Sequence, residues 1–233
     1  MALYAWILVG TAFFPFTLSF DRKLQFFRQW KHLLPALLLV AVPYIIFDII
    51  LTRAGVWGFN PSYLTGTYWF DLPVEEWLFF IIIPYASIFL HDVIAFYFPK
   101  WQLGKAMAKR LTLLLIVACL AILAAFHGRA YTLYSVLMVL ISLLLSLWDK
   151  SEVTRRFLVT FLIILIPFLA VNGILTGSLI PEEVVWYNPE EITGLRIFTI
   201  PAEDTGYAFS MLLLGLLARN LFRALWGRRR QNG

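Results

Sequence analysis

Seven apolar stretches run through the chain, at about Leu3 to Phe20, Leu33 to Leu51, Glu75 to Phe98, Leu111 to Phe126, Tyr131 to Trp148, Phe157 to Thr176 and Glu203 to Phe222. Each approaches the roughly 20 apolar residues that carry a helix across the hydrocarbon core of a bilayer. The pattern predicts an all-α integral membrane protein with seven transmembrane helices. Two intervening segments, from Thr52 to Val74 and from Gly177 to Ala202, are longer and carry Pro, Gly, Asn and aromatic residues without a helical period. They are expected to fold over one mouth of the bundle.

Charge then orients the spans. Arg22, Lys23, Arg28 and Lys31, then Lys100, Lys105, Lys109 and Arg110, then Lys150, Arg155 and Arg156 occupy every second connection, and Arg219, Arg223, Arg228, Arg229 and Arg230 close the chain. The alternate connections carry only Arg53, Arg129 and Arg196. The positive-inside rule places the N-terminus outside and the C-terminus in the cytoplasm, in a multi-pass protein of the cytoplasmic membrane. Topology thus accounts for the net charge of +5, and nucleic acid is not expected as a partner. No Lys or Arg precedes the first apolar stretch and no small-residue cleavage site follows it, so it reads as a span rather than a signal peptide. Cys119 is the single cysteine, which excludes an intrachain disulfide and a cysteine metal cluster.

The chain also repeats itself. At a shift of 128 residues Asn60-Pro61 meets Asn188-Pro189, Thr65-Gly66 meets Thr193-Gly194, Pro73-Val74-Glu75-Glu76 meets Pro201-Ala202-Glu203-Asp204, and Asp21 meets Asp149. A local shift of 124 matches Pro43 to Pro167, Asp48 to Asn172 and Thr52 to Thr176. Three spans alone would invert the second copy, and a fourth helix corrects this. The expected arrangement is two parallel three-helix repeats, residues 1–98 and 129–233, joined by a linker helix within residues 99–128 and related by an axis along the membrane normal.

The acidic motifs are the sharpest chemical feature. Proline before a helix and acids in its first turn are ordinary helix grammar. Recurrence in both halves beside an apolar span makes Glu75, Glu76, Glu203 and Asp204 the candidate catalytic groups, because carboxylates at membrane depth are costly and usually functional. Asp48 and its neutral counterpart Asn172 should also point inward, either as interhelical hydrogen-bonding groups or as participants. His91 and Asp92 lie far along the third span from Glu75 and are read as interfacial. Aromatic residues crowd the acids, and beyond packing their ring faces can stabilise a cation by about 2 kcal/mol or more where water is excluded. Trp77, Phe80 and Tyr207, with Asp48, Asn172, Asn60 and Asn188, are the candidate substrate-contacting residues.

With Pro73-Val74-Glu75-Glu76 before Trp77-Leu78-Phe79-Phe80, Pro201-Ala202-Glu203-Asp204 before Thr205-Gly206-Tyr207, and an Asn-Pro step thirteen residues upstream of each acidic motif, the chain resembles the membrane lycopene cyclases that occur as two small subunits or one fused chain. The resemblance spans essentially the whole sequence. It implies an isomerase that closes the acyclic ends of lycopene into β-ionone rings, giving β-carotene through γ-carotene, with both carotenoids held in the lipid phase. The implied reaction is redox-neutral: a proton adds to the terminal double bond, the C5–C6 double bond attacks the cation, and a proton leaves. The four carboxylates are expected to form one site between the halves, dry enough that one of them stays protonated.

No glycine-rich dinucleotide fingerprint is present and His32, His91 and His127 are scattered, so neither a cofactor nor a metal is expected. The rival reading is a small carrier, since three-plus-one-plus-three spans is also the layout of SWEET transporters. A retinal-binding receptor would need a lysine between Glu203 and Phe222, where there is none, and an intramembrane metalloprotease lacks its histidine companions.

Overall fold

The computed structural model describes residues 2–149 and 151–229. Within them lie seven α-helices: α1 (Leu3–Leu18), α2 (Trp30–Arg53), α3 (Val74–Tyr97), α4 (Lys105–Ala125), α5 (Ala130–Trp148), α6 (Val153–Leu175) and α7 (Ala202–Arg229). Six are long and apolar enough to cross a membrane, as a multi-pass membrane protein requires. The exception is α1, whose 16 residues rise about 24 Å against a hydrocarbon core of about 30 Å.

Several helices outrun their apolar stretches at the basic end. α4 starts at Lys105 rather than Leu111, α6 at Val153 rather than Phe157, and α7 continues to Arg229. Lys and Arg are good helix formers whose stems lie along apolar surface, so the backbone continues as a helix beyond the last apolar turn.

α1 and α2 pack on α3, α5 and α6 pack on α7, and the two groups meet where α2 runs along α7 and α3 along α6. α4 lies on the outside against α5 and α6. The core between these helices is rich in rings, with Tyr4, Tyr44, Phe26, Phe80 and Phe157 among its largest fully buried side chains. Residues near the starts of α1, α3, α5 and α7 and near the ends of α2 and α6 surround one cavity, so the odd-numbered members run one way and α2 and α6 the other.

The two longer connections do fold over that mouth. The first holds strand β1 (Trp57–Phe59), a 3-10 turn over Pro61–Tyr63 and a small hairpin of β2 (Tyr68–Trp69) and β3 (Leu72–Pro73). The second holds β4 (Val185–Tyr187), a turn over Pro189–Glu191 and a hairpin of β5 (Arg196–Ile197) and β6 (Ile200–Pro201). β1 and β4 pair antiparallel, with Gly58 opposite Trp186. The absence of a side chain at Gly58 is required, because a Cβ there would lie 2.4 Å from the Trp186 ring.

Candidate active site

Each acidic motif is built by the same local grammar. Asn60 accepts a hydrogen bond from Ser62 N–H at 3.0 Å and caps the turn that follows, as Asn188 does with Glu190 N–H at 3.0 Å. Gly66 and Gly194 then take φ of +84° and +82°, a conformation open to glycine without steric cost. Just before them, Thr65 N–H donates to Glu75 Oε1 at 2.7 Å, and Thr193 N–H to Glu203 Oε1 at 2.6 Å. Thr132 adds a hydroxyl to Glu203 at 2.7 Å. The first acid of each pair therefore ties its loop down to the start of its helix.

The second acids turn inward. Glu76 accepts the Tyr4 phenol at 2.6 Å. Asp204 accepts the Asn172 amide at 2.6 Å, the Tyr187 phenol at 3.1 Å and the Tyr131 phenol. Burial pushes the Tyr187 phenol well above its ordinary value, which keeps it a donor. Asp48 accepts the Trp57 indole N–H at 2.8 Å and the Thr52 hydroxyl at 3.1 Å. All three carboxylates are buried and line one cavity of about 50 Å³, walled by rings that include Phe79, Phe168 and Tyr207. An apolar cavity of about 150 Å³ holds a benzene ring, so a ring-sized guest must push this wall open.

Of the residues singled out in the sequence, Asp48, Glu76, Asn172, Asp204 and Tyr207 meet at this cavity. Glu75 and Glu203 do not line it; both are buried behind it, each with Oε2 lacking a hydrogen-bond partner. Trp77 packs on Trp69 and Phe70, its indole donating to the Trp69 carbonyl at 3.2 Å. Phe80 lies in the core beside Tyr44, Phe79 and Tyr207, and Asn60 and Asn188 are the turn caps. Tyr4, Trp57, Tyr131 and Phe168 were not singled out. At the shift of 128, Tyr4 meets Thr132 rather than Tyr131, so a repeat comparison passes over both phenols. Among the described residues no three His, Cys, Asp or Glu side chains are grouped as a metal cage requires.

The opposite end of the bundle is held separately. His91 Nδ1 shares a hydrogen bond with the Thr160 hydroxyl at 2.7 Å, and Asp92 pairs with Arg219 at 2.7 Å.

A site of buried carboxylates, phenols and ring faces, with no lysine or arginine among its lining residues, suits proton transfer to a hydrocarbon. A family model described as Lycopene cyclase matches residues 1–94 and 128–222. The chain belongs to the lycopene cyclase family. As a lycopene cyclase it is an enzyme of the isomerase class, acting on lycopene in carotenoid biosynthesis. The two matched segments carry both acidic motifs and leave α4 between them. Comparison with curated proteins and with solved structures found no match.

Proposed function

We propose that the cavity shared by Glu76, Asp204 and Asp48 is where lycopene ends close into β rings, γ-carotene forming first and β-carotene second. One observation carries this: three carboxylates contributed by both parts of the chain face a single aromatic-walled space. Hydrogen bonds to a carboxylate favour its anion. Asp204 has three donors and Glu76 one, so Asp204 is the anion and Glu76 the acid.

Glu76 delivers its proton to the terminal double bond of the substrate, leaving a tertiary cation. The C5–C6 double bond attacks that cation, one C–C bond forms, and the positive charge moves to C5. Loss of the C6 proton to a carboxylate of the cavity leaves the β ring. One proton enters and one departs, so the product is an isomer and no redox cofactor is needed. Ring faces such as those of Trp57 and Tyr207 stabilise the cation by about 2 kcal/mol or more, and the Asp204 anion attracts it. Glu75 and Glu203 are positioning residues that hold the loops over the site.

The two halves act as parallel repeats about an axis along the membrane normal, with the acid end outside and the basic end in the cytoplasm. Support comes from the register of β1 with β4, where Trp57 pairs with Tyr187 and Phe59 with Val185. Gly58 thus faces its own counterpart Trp186, and Trp57 and Phe59 face each other's counterparts, as a two-fold axis through the central pair requires. Basic residues gather at the other end, where Lys105 meets Glu152 at 2.5 Å and Arg155 donates to the Leu103 carbonyl. A carrier would be served by polar groups at mid-membrane, whereas these lie at the helix ends.

The test is expression in lycopene-accumulating cells. The wild type yields cyclic carotenoids, while Glu76→Gln and Asp204→Asn leave lycopene unconverted; cyclic product from both variants at the wild-type level overturns the assignment.

A further inference from the structure

Below the acid cavity, α1, α3 and α6 leave an apolar groove of about 500 Å³ between them. These same three helices supply Tyr4, Glu76, Phe79, Phe168 and Asn172 to the cavity wall. On α1 the cavity residue Tyr4 is followed by the groove residues Ile7, Thr11 and Phe14, and on α3 Phe79 is followed by Ile83 and Leu90. Steps of three and four residues keep one face of a helix, so the groove is the cavity's continuation towards the middle of the bilayer. From Glu76 in the cavity to Leu90 in the groove, the two spaces together extend about 21 Å in helix rise. Among the described residues Phe168 is the one that lines both spaces.

The opposite seam, formed by α5, α7 and α2, carries bulkier residues at several matching positions. At the repeat shifts used above, Gly10 corresponds to Met138, Ala86 to Leu214, Val171 to Phe47 and Phe168 to Tyr44. Met138 is buried, Phe47 stacks on Tyr134 with ring centres 4.7 Å apart, and Tyr44 donates to Ser210 at 2.7 Å. Gly206 brings α5 within 3.0 Å of a Cβ built on α7, again tightening that side. On the open side a Cβ at Gly10 would meet nothing within 4 Å. At three matching positions the open side has the smaller residue, Gly10 against Met138, Ala86 against Leu214 and Val171 against Phe47, and a lateral channel lies there beside the site.

We propose that this groove is the bed for the unreacted length of the acyclic polyene, and that Phe168 is the partition its end group displaces to reach the carboxylates. The proposal rests on the cyclisation assigned above. It follows from size and polarity: the cavity is too small for a ring, the space beyond Phe168 is ten times larger and apolar, and the rest of a long hydrocarbon must lie against apolar surface. A one-sided bed presents one end of the molecule at a time, so the monocyclic product must leave and return reversed before its second end can react.

The test has two parts, both on the full chain in lipid vesicles containing lycopene. Gly10→Leu and Ala86→Leu give the open seam the bulk of the closed one and are expected to raise KM for lycopene at least tenfold, with kcat within about threefold of the wild type. In Asp204→Asn protein also carrying Cys119→Ala, a cysteine placed by Thr11→Cys should react with N-ethylmaleimide at least fivefold more slowly when lycopene is present. The same reagent at Leu39→Cys, on the lipid-facing side of α2, should be indifferent to it. Unchanged KM in both groove variants, or labelling at residue 11 that ignores lycopene, overturns the proposal while wild-type turnover stands. A wild type that forms no cyclic product overturns the cyclisation reading and this proposal together. The labelling arm leaves Gly10 and Ala86 intact, so it decides the matter even where those variants do not fold.

Discussion

Asn172 donates its amide to Asp204 at 2.6 Å, while at the matching position of the other half Asp48 presents a carboxylate to the same cavity. Equivalent positions thus give one acceptor and one donor, and the cavity has three carboxylates rather than four. A hydrogen bond to a charged group is worth about 1.5 to 3 kcal/mol, and losing this one lets Asp204 take up a proton more readily and leave its anionic role, which corresponds to about tenfold to a hundredfold in rate. Asn172→Ala should slow lycopene conversion by that factor. Asn172→Asp should be worse, because it sets a like charge against Asp204, and Asn172→Asp with Asp48→Asn should recover part of the loss. Conversion rates from purified protein check the series, and a double variant no better than Asn172→Asp alone breaks the equivalence of the two positions.

The two acids of each motif should separate by substitution. Glu76→Gln and Asp204→Asn are expected to lower kcat by more than a hundredfold with little change in thermal stability. Glu75→Gln keeps a side-chain oxygen for Thr65 N–H, so it should retain at least a tenth of the activity, whereas Glu75→Ala strips the loop of its anchor and should lower the melting temperature. Activity and melting measured on the same samples distinguish these outcomes.

Gly58 sits under the Trp186 ring where the two connections pair. Gly58→Val should destabilise the protein by about 1 to 3 kcal/mol through overpacking. Trp186→Ala should relieve it, giving a favourable coupling in the double variant. Thermal unfolding in detergent of the four proteins closes the cycle; additive losses would mean the ring and residue 58 do not meet.

At the other end, Arg219 is 3% exposed and its partner Asp92 12% by side chain. Removing one member of a buried ion pair leaves an uncompensated charge, at a cost of about 3 to 5 kcal/mol. Asp92→Ala should therefore unfold at a clearly lower temperature while the folded fraction cyclises lycopene normally. Loss of turnover in protein that is still folded would tie this end to the chemistry.

Hydropathy made the seven helices legible, and the cost of burying a carboxylate or amide among apolar neighbours made Asp48, Glu76, Asn172 and Asp204 legible with them. Adjacent residues such as Glu75 and Glu76 were not separable, since which of them faces the axis depends on how α3 is rotated against its neighbours. Tyr4, Trp57 and Tyr131 carried no contrast in a chain with 21 Phe, 10 Tyr and 9 Trp. They matter through the partners the fold gives them. The helix extensions at the basic end were hidden because a charged residue ends an apolar window without ending a helix. The groove beside Phe168 was hidden too, as small side chains on three separate helices gain meaning only when those helices meet.

The small volume of about 50 Å³ between Asp48, Glu76 and Asp204 has a further bearing on product purity. A tertiary carbocation is captured by any solvent molecule within reach and becomes an alcohol. With the end group filling the space that solvent would need, hydroxylated side products should be scarce, and enlarging the wall by Phe79→Ala should let them appear.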